Sequence, residues 1–212
     1  MKDGVIDYVN DVVQDAKKRA TIDENRVVLT GFSDGASSVF TFAMLTTDLF
    51  SSYIALNGHP GAGALAFGQE LFAKNLSGQK IWMASTDLDT LFPARMISPI
   101  ANYFTLAGAQ VIFKEYSGFY HELTYLKSNE VQSELGNYIE NSFRNNGSEH
   151  IYWESASLLY GKRDWIRIDE FDFTLERESW HELTAMAVID DRVFWDIGID
   201  DKYEGNGVRV LE

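Results

Sequence analysis

The stretch Arg26-Val27-Val28-Leu29-Thr30-Gly31-Phe32-Ser33-Asp34-Gly35-Ala36 decides how this chain folds. Arg26 to Thr30 is a short apolar, β-branched run of the kind that forms a fully buried strand. Gly31-Phe32-Ser33-Asp34-Gly35 then makes a sharp break, and a second helical stretch runs from Ala36 to Leu45. Upstream, Val5, Ile6, Val9, Val12, Val13, Ala16 and Ala20 recur at the spacing of one helical face. They predict an amphipathic helix, and its late Lys17-Lys18-Arg19 suit the helix dipole. The order is helix, strand, tight turn, helix.

The same alternation continues downstream. Ser52–Leu56, Lys80–Ser85 and Gln110–Tyr116 read as strands, and Ala64–Leu76, Pro93–Leu106 and Asn129–Phe143 as helices, with Asn57 to Gly63 as a loop. Strands alternating with helices predict an α/β fold with a parallel sheet covered on both faces. Beyond the polar linker Arg144-Asn145-Asn146-Gly147-Ser148 the helical periodicity fades. Short β-type runs follow at His150–Trp153, Trp165–Ile168, Met186–Ile189, Val193–Ile197 and Val208–Leu211. The expected organisation is a core over residues 1–146 and a small, mostly antiparallel β module over residues 147–212.

Composition narrows the chemistry. With 32 acidic against 18 basic residues, the net charge of −14 repels a phosphate backbone and speaks against nucleic-acid binding. The absence of cysteine removes disulfides, thiolate nucleophiles and Cys-based metal sites. The four histidines and the surface acids show no metal-ligand spacing, so neither a metal nor a cofactor is expected. Met1 to Asp7 has no apolar h-region, and no stretch approaches the ~18 apolar residues of a membrane span. The expectation is a soluble chain without an export signal, cytoplasmic by default.

Gly31-Phe32-Ser33-Asp34-Gly35 fits G-x-S-x-G. Its glycines let the chain turn tightly enough to expose the serine Oγ at the C-terminal edge of the sheet, where the next helix offers its N-terminal amides to a developing oxyanion. A serine nucleophile needs a base and an orienting acid, which follow in this setting in the order serine, acid, histidine. Asp87 and Asp89 lie just after the strand ending at Ser85, and His121 lies just after the strand ending at Tyr116. Three strand ends thus bring Ser33, an aspartate and His121 to one edge.

At these residues the sequence resembles a known family. Asp23-Glu24-Asn25-Arg26-Val27-Val28-Leu29-Thr30-Gly31-Phe32-Ser33-Asp34-Gly35 is similar to the nucleophile segment of α/β-hydrolases of the phospholipase/carboxylesterase and dienelactone hydrolase-like group. Asp89-Thr90-Leu91-Phe92-Pro93 is similar to the D-x-x-V-P that carries its acid, and Ala107-Gly108-Ala109-Gln110-Val111 with Tyr116 to His121 resembles its histidine segment. The resemblance spans about residues 1 to 144. It implies Ser33 as nucleophile, Asp89 as acid rather than Asp87, His121 as base, and the Asp34 N–H as one oxyanion donor. It departs in having Ser85-Thr86 where the family has H-G, and in entering at the helix before the nucleophile strand. The family's earlier strands and second oxyanion amide are expected from an upstream segment, or from a second copy or other partner that completes the sheet.

Two other features bear on function. Gly61-Ala62-Gly63-Ala64-Leu65-Ala66 matches G-x-G-x-x-A, but Asn57-Gly58-His59-Pro60 separates it from its strand, which speaks against a dinucleotide turn. Trp153, Trp165, Trp180 and Trp195 concentrate in the β-type region, more in keeping with a module core than a ligand platform. The alternative to an ester hydrolase is accordingly a non-catalytic interaction or glycan-binding protein on an incomplete hydrolase core.

Overall fold

Val28–Phe32 (β1), Ser52–Leu56 (β2), Lys80–Thr86 (β3) and Gln110–Tyr116 (β4) lie side by side in chain order, all parallel, in the computed structural model of the chain. The structure describes residues 4–46, 48–68, 71–144, 150–172, 178–189 and 192–205. Gly4–Arg19 (α1) precedes β1, the connections carry Asp34–Leu45 (α2), Pro60–Phe67 (α3) and Ala94–Leu106 (α4), and Asn129–Glu140 (α5) follows β4.

The two-residue period of the strands sorts their side chains onto two buried faces. Tyr53, Ala55, Ile81 and Met83 meet Ile6 of α1, Val39 and Phe40 of α2, and Ile97, Ile100 and Phe104 of α4. Ile54, Leu56, Trp82 and Ala84 face the other way, against Tyr125 and Val131. The expected double-covered parallel sheet is therefore present.

Several boundaries differ from the sequence reading. The strand expected at Arg26–Thr30 begins later and runs on to Phe32, because Glu24–Arg26 forms a 3-10 turn started by the Asp23 carboxylate, which accepts the Asn25 N–H at 3.0 Å. Nor is it fully buried: β1 pairs only with β2 among the described residues, and Thr30 is exposed, whereas all five residues of β2 are buried. The helix expected at Ala64–Leu76 starts at Pro60, whose fixed φ suits a first helical turn, and ends at Phe67, with a separate 3-10 turn at Ala73–Leu76. Gly63 explains the early start. A Cβ there would lie 2.3 Å from the Ser37 carbonyl oxygen, so α3 packs directly on α2.

After the core, Lys162–Arg163 (β5) pairs with Ile166–Arg167 (β6), and Glu178–Ile189 (β7) with Arg192–Gly205 (β8), both antiparallel. The runs expected at Met186–Ile189 and Val193–Ile197 fall in β7 and β8, and Val208–Leu211 lies outside the described residues. His150–Trp153 forms no strand. Instead this segment lies on the core: the Glu154 N–H donates to Asn75 Oδ1 at 2.8 Å, and Trp153 and Tyr160 are buried. Trp165 is exposed. Among the described residues no helix is long and apolar enough to cross a membrane.

Candidate active site

Ser33 sits between β1 and α2 with φ 56° and ψ −121°, a conformation unfavourable for any residue with a Cβ. The neighbouring backbone imposes it. A Cβ on Gly31 would lie 2.3 Å from the Gly35 carbonyl carbon and oxygen, so the chain folds back onto its own strand there. At Gly35 the same test meets nothing within 4 Å, so only the first glycine of the motif is sterically required. The Ser33 N–H donates to the Leu56 carbonyl at 3.0 Å, fixing the turn to the end of β2. Asp34 opens α2, so its N–H is one of the amides that a helix N-terminus leaves without an intrahelical acceptor.

The structure brings Ser33, His121 and Asp89 together. His121 Nε2 lies 2.8 Å from Ser33 Oγ, and its Nδ1 lies 2.8 Å from Asp89 Oδ2. The His121 side chain keeps 21% of its surface exposed while that of Asp89 has none, so the imidazole stands between the partly buried serine and a fully buried carboxylate. Phe32 and Phe92 hold the ring, with centroids 4.8 Å and 6.0 Å from that of His121.

Asp89 is an acceptor with every neighbour donating. Its Oδ1 takes the Leu91 and Phe92 N–H groups at 2.7 and 2.9 Å, and Oδ2 takes the Asn57 amide at 3.0 Å beside His121. Burial pushes this carboxyl up, but His121, Asn57 and the two backbone donors together hold it below its ordinary value. Asp87, the other acid considered, faces away: its Oδ1 accepts the Gly118 N–H at 2.7 Å and ties the acid loop to the histidine loop. The Leu88 N–H to Phe119 carbonyl bond, at 3.2 Å, adds a second tie.

Asn57, Thr86, Phe92 and Tyr125 belong to the surroundings of these groups and were not singled out from sequence. Asn57 carried a usable signal, since it directly follows the strand between the serine and acid strands and asparagine tolerates positive φ. His59, read as a loop histidine, is fully buried, with Nδ1 accepting the Gly61 N–H at 3.0 Å and its ring stacked on Phe92. A groove of about 600 Å³ lined by Lys80, Trp82, Gln110 and Tyr138 opens near the starts of β3 and β4, at the opposite end of the strands from Ser33.

No protein-family model matches the chain, and no curated protein matches it in sequence. Solved structures do match. A thermostable esterase is similar over 66% of this chain and 37% of its own, with a TM-score of 0.53 at 20% identity. The Bacillus cereus carboxylesterase is similar over 64% of this chain and 58% of its own, with a TM-score of 0.49 at 18% identity. A variant of SOBER1 from Arabidopsis thaliana is similar over 65% and 62%, with a TM-score of 0.47 at 14% identity. The chain spans less than two thirds of the length of each of these three. The parallel sheet, its two helical layers and the likeness to the thermostable esterase define the class: part of an α/β-hydrolase fold, followed by small antiparallel hairpins. Within that class, the structures it resembles here include esterases and a carboxylesterase.

Proposed function

We propose that this chain is a serine hydrolase that cleaves a small-molecule carboxylic ester through Ser33, His121 and Asp89. The observation that carries the reading is the two-sided placement of His121, 2.8 Å from the serine hydroxyl on one nitrogen and 2.8 Å from a buried carboxylate on the other. A histidine so placed takes a proton on Nε2 while its Nδ1–H stays bound to Asp89.

In the proposed reaction Ser33 Oγ attacks the ester carbonyl carbon as its proton passes to His121 Nε2. The carbonyl oxygen becomes an oxyanion beside the Asp34 N–H. Collapse breaks the bond to the alcohol, which leaves with the proton from His121, and the acyl group stays on Ser33. Water attacks the acyl carbon, gives its proton to His121, and the carboxylic acid departs as the serine is reprotonated. The Asp34 N–H is worth about 10²–10³ in kcat as an oxyanion donor.

The test is hydrolysis of short p-nitrophenyl esters together with labelling by a fluorophosphonate probe. Ser33→Ala is expected to abolish labelling and to lower kcat by at least about 10³. A Ser33→Ala protein as fast as its parent, or a parent whose Ser33 never reacts with the probe, leaves the interaction-protein reading in its place.

A further inference from the structure

Asn57 is completely buried and holds φ at +51°, a left-handed conformation that costs energy and persists only where the surroundings impose it. Its side chain supplies the reason. Nδ2 donates to Asp89 Oδ2 at 3.0 Å and to Thr86 Oγ1 at 2.8 Å, while Oδ1 accepts the Tyr125 hydroxyl at 3.0 Å. Burial raises the Tyr125 hydroxyl well above its ordinary pKa, so it stays protonated and donates. The reverse amide orientation would set Oδ1 against the carboxylate, two acceptors in a dry site. Thr86 in turn donates its own proton to the Tyr120 carbonyl at 2.8 Å, one residue before His121. One arrangement of protons therefore satisfies the whole chain of bonds, and Asn57 is where the acid and the loop carrying the histidine are joined.

We infer that Asn57 is a positioning residue of this site, its amide holding the Asp89 carboxylate against His121 and, through Thr86, setting the loop that delivers His121 to Ser33. The inference rests on the reading of Ser33 and His121 as nucleophile and base, and it assigns Asn57 no contact with substrate.

Two variants of the full chain test it. Asn57→Gly keeps a residue at ease with φ +51° and removes the amide. Asn57→Asp keeps shape and left-handed tolerance but offers a carboxyl, which donates to Asp89 only while the pair holds a proton. With circular dichroism and melting temperature close to the parent, the glycine variant is expected to label with fluorophosphonate about 10- to 100-fold more slowly and to lose kcat by the same factor, with KM within about twofold. The aspartate variant is expected to recover rate at the acid end of the range and to lose it as pH rises, a falling limb that neither the parent nor the glycine variant shows. Labelling of the glycine variant within about twofold of the parent overturns the inference. Equal losses in both variants at every pH also overturn it, since they mean packing alone. If the parent itself is inert to the probe, the hydrolase reading fails separately. The Asp89 carboxyl ¹³C titration then decides: a midpoint raised in the glycine variant supports the role of Asn57, and an unmoved midpoint overturns it.

Discussion

His59 immediately precedes α3 and caps it, its Nδ1 accepting the Gly61 N–H at 3.0 Å. The tautomer follows: the proton sits on Nε2, which is buried and has no acceptor among the described residues. Protonating Nδ1 would break the cap at the positive end of a helix, and burial alone lowers the pKa of this histidine from 6.5 to about 4. A histidine whose folded pKa is depressed binds more protons when unfolded, so its contribution is complete above pH 6.5 and is lost as pH falls toward about 4. The difference corresponds to roughly 3 kcal/mol at most. Asp89 acts in a different window: its folded pKa lies below 3.8, so its share is present above that value and disappears only in stronger acid. His59→Asn keeps a capping oxygen and removes the titration. Urea unfolding at a series of pH values is expected to show the parent losing stability between pH 6.5 and 4 with a clearly steeper slope than the variant; parallel slopes would assign the acid sensitivity elsewhere.

At the scale of elements, the junction of β1 and α2 separates two glycines that the motif treats alike. Gly31→Ala places a Cβ 2.3 Å from the Gly35 backbone, which no side-chain rotation relieves, so the turn must move. The expected cost is about 3 kcal/mol or more, with loss of soluble protein as its extreme form. Gly35→Ala adds a methyl group into open space inside a helix and is expected to fall within about 1 kcal/mol of the parent, on the stabilising side. Comparing urea midpoints of the two variants checks the contrast, and equal losses would mean that the turn is not shaped as described. This junction was legible in sequence because strand, break and helix each leave a periodic or compositional signature. So was the placement of Asp89 and His121, since both follow the ends of neighbouring strands. The start of α3 was not, because Pro60 and Gly61 read as loop residues until the close packing of Gly63 on Ser37 is known. Asn57 escaped for a related reason. Its role depends on Thr86 and Tyr125, 29 and 68 residues away, and a local pattern carries no trace of such partners.

Across the whole molecule, residues 150–168 are fastened to the α/β core by polar bonds in a buried setting. Asn75, fully buried, donates to the Met44 and Glu154 carbonyls at 2.9 and 2.7 Å and accepts the Glu154 N–H at 2.8 Å. Arg163 donates to the carbonyls of Asn75, Tyr152 and Ser77 at 3.2, 2.8 and 2.8 Å, and its guanidinium carbon lies 5.5 Å from the Trp153 ring centre. Tyr160 joins the same apolar cluster as α2 and α4. Arg163→Met preserves much of the stem and removes every donor, leaving three carbonyls to find new partners. A loss of about 3 kcal/mol is expected, since charge-assisted bonds in buried surroundings are worth more than neutral ones. Hydrogen exchange shows how far that loss spreads. If the segment unfolds with the sheet, the amides of Glu154 and Ile168 accelerate in step with those of Tyr53 and Ala55 in β2, which places residues 150–168 in the cooperative unit of the core. If Glu154 and Ile168 accelerate while β2 does not, the segment opens on its own and goes with the β-rich module proposed to begin at residue 147. The burial of Trp153 and Tyr160 favours the first outcome, because freeing either aromatic exposes an apolar face that the core now covers.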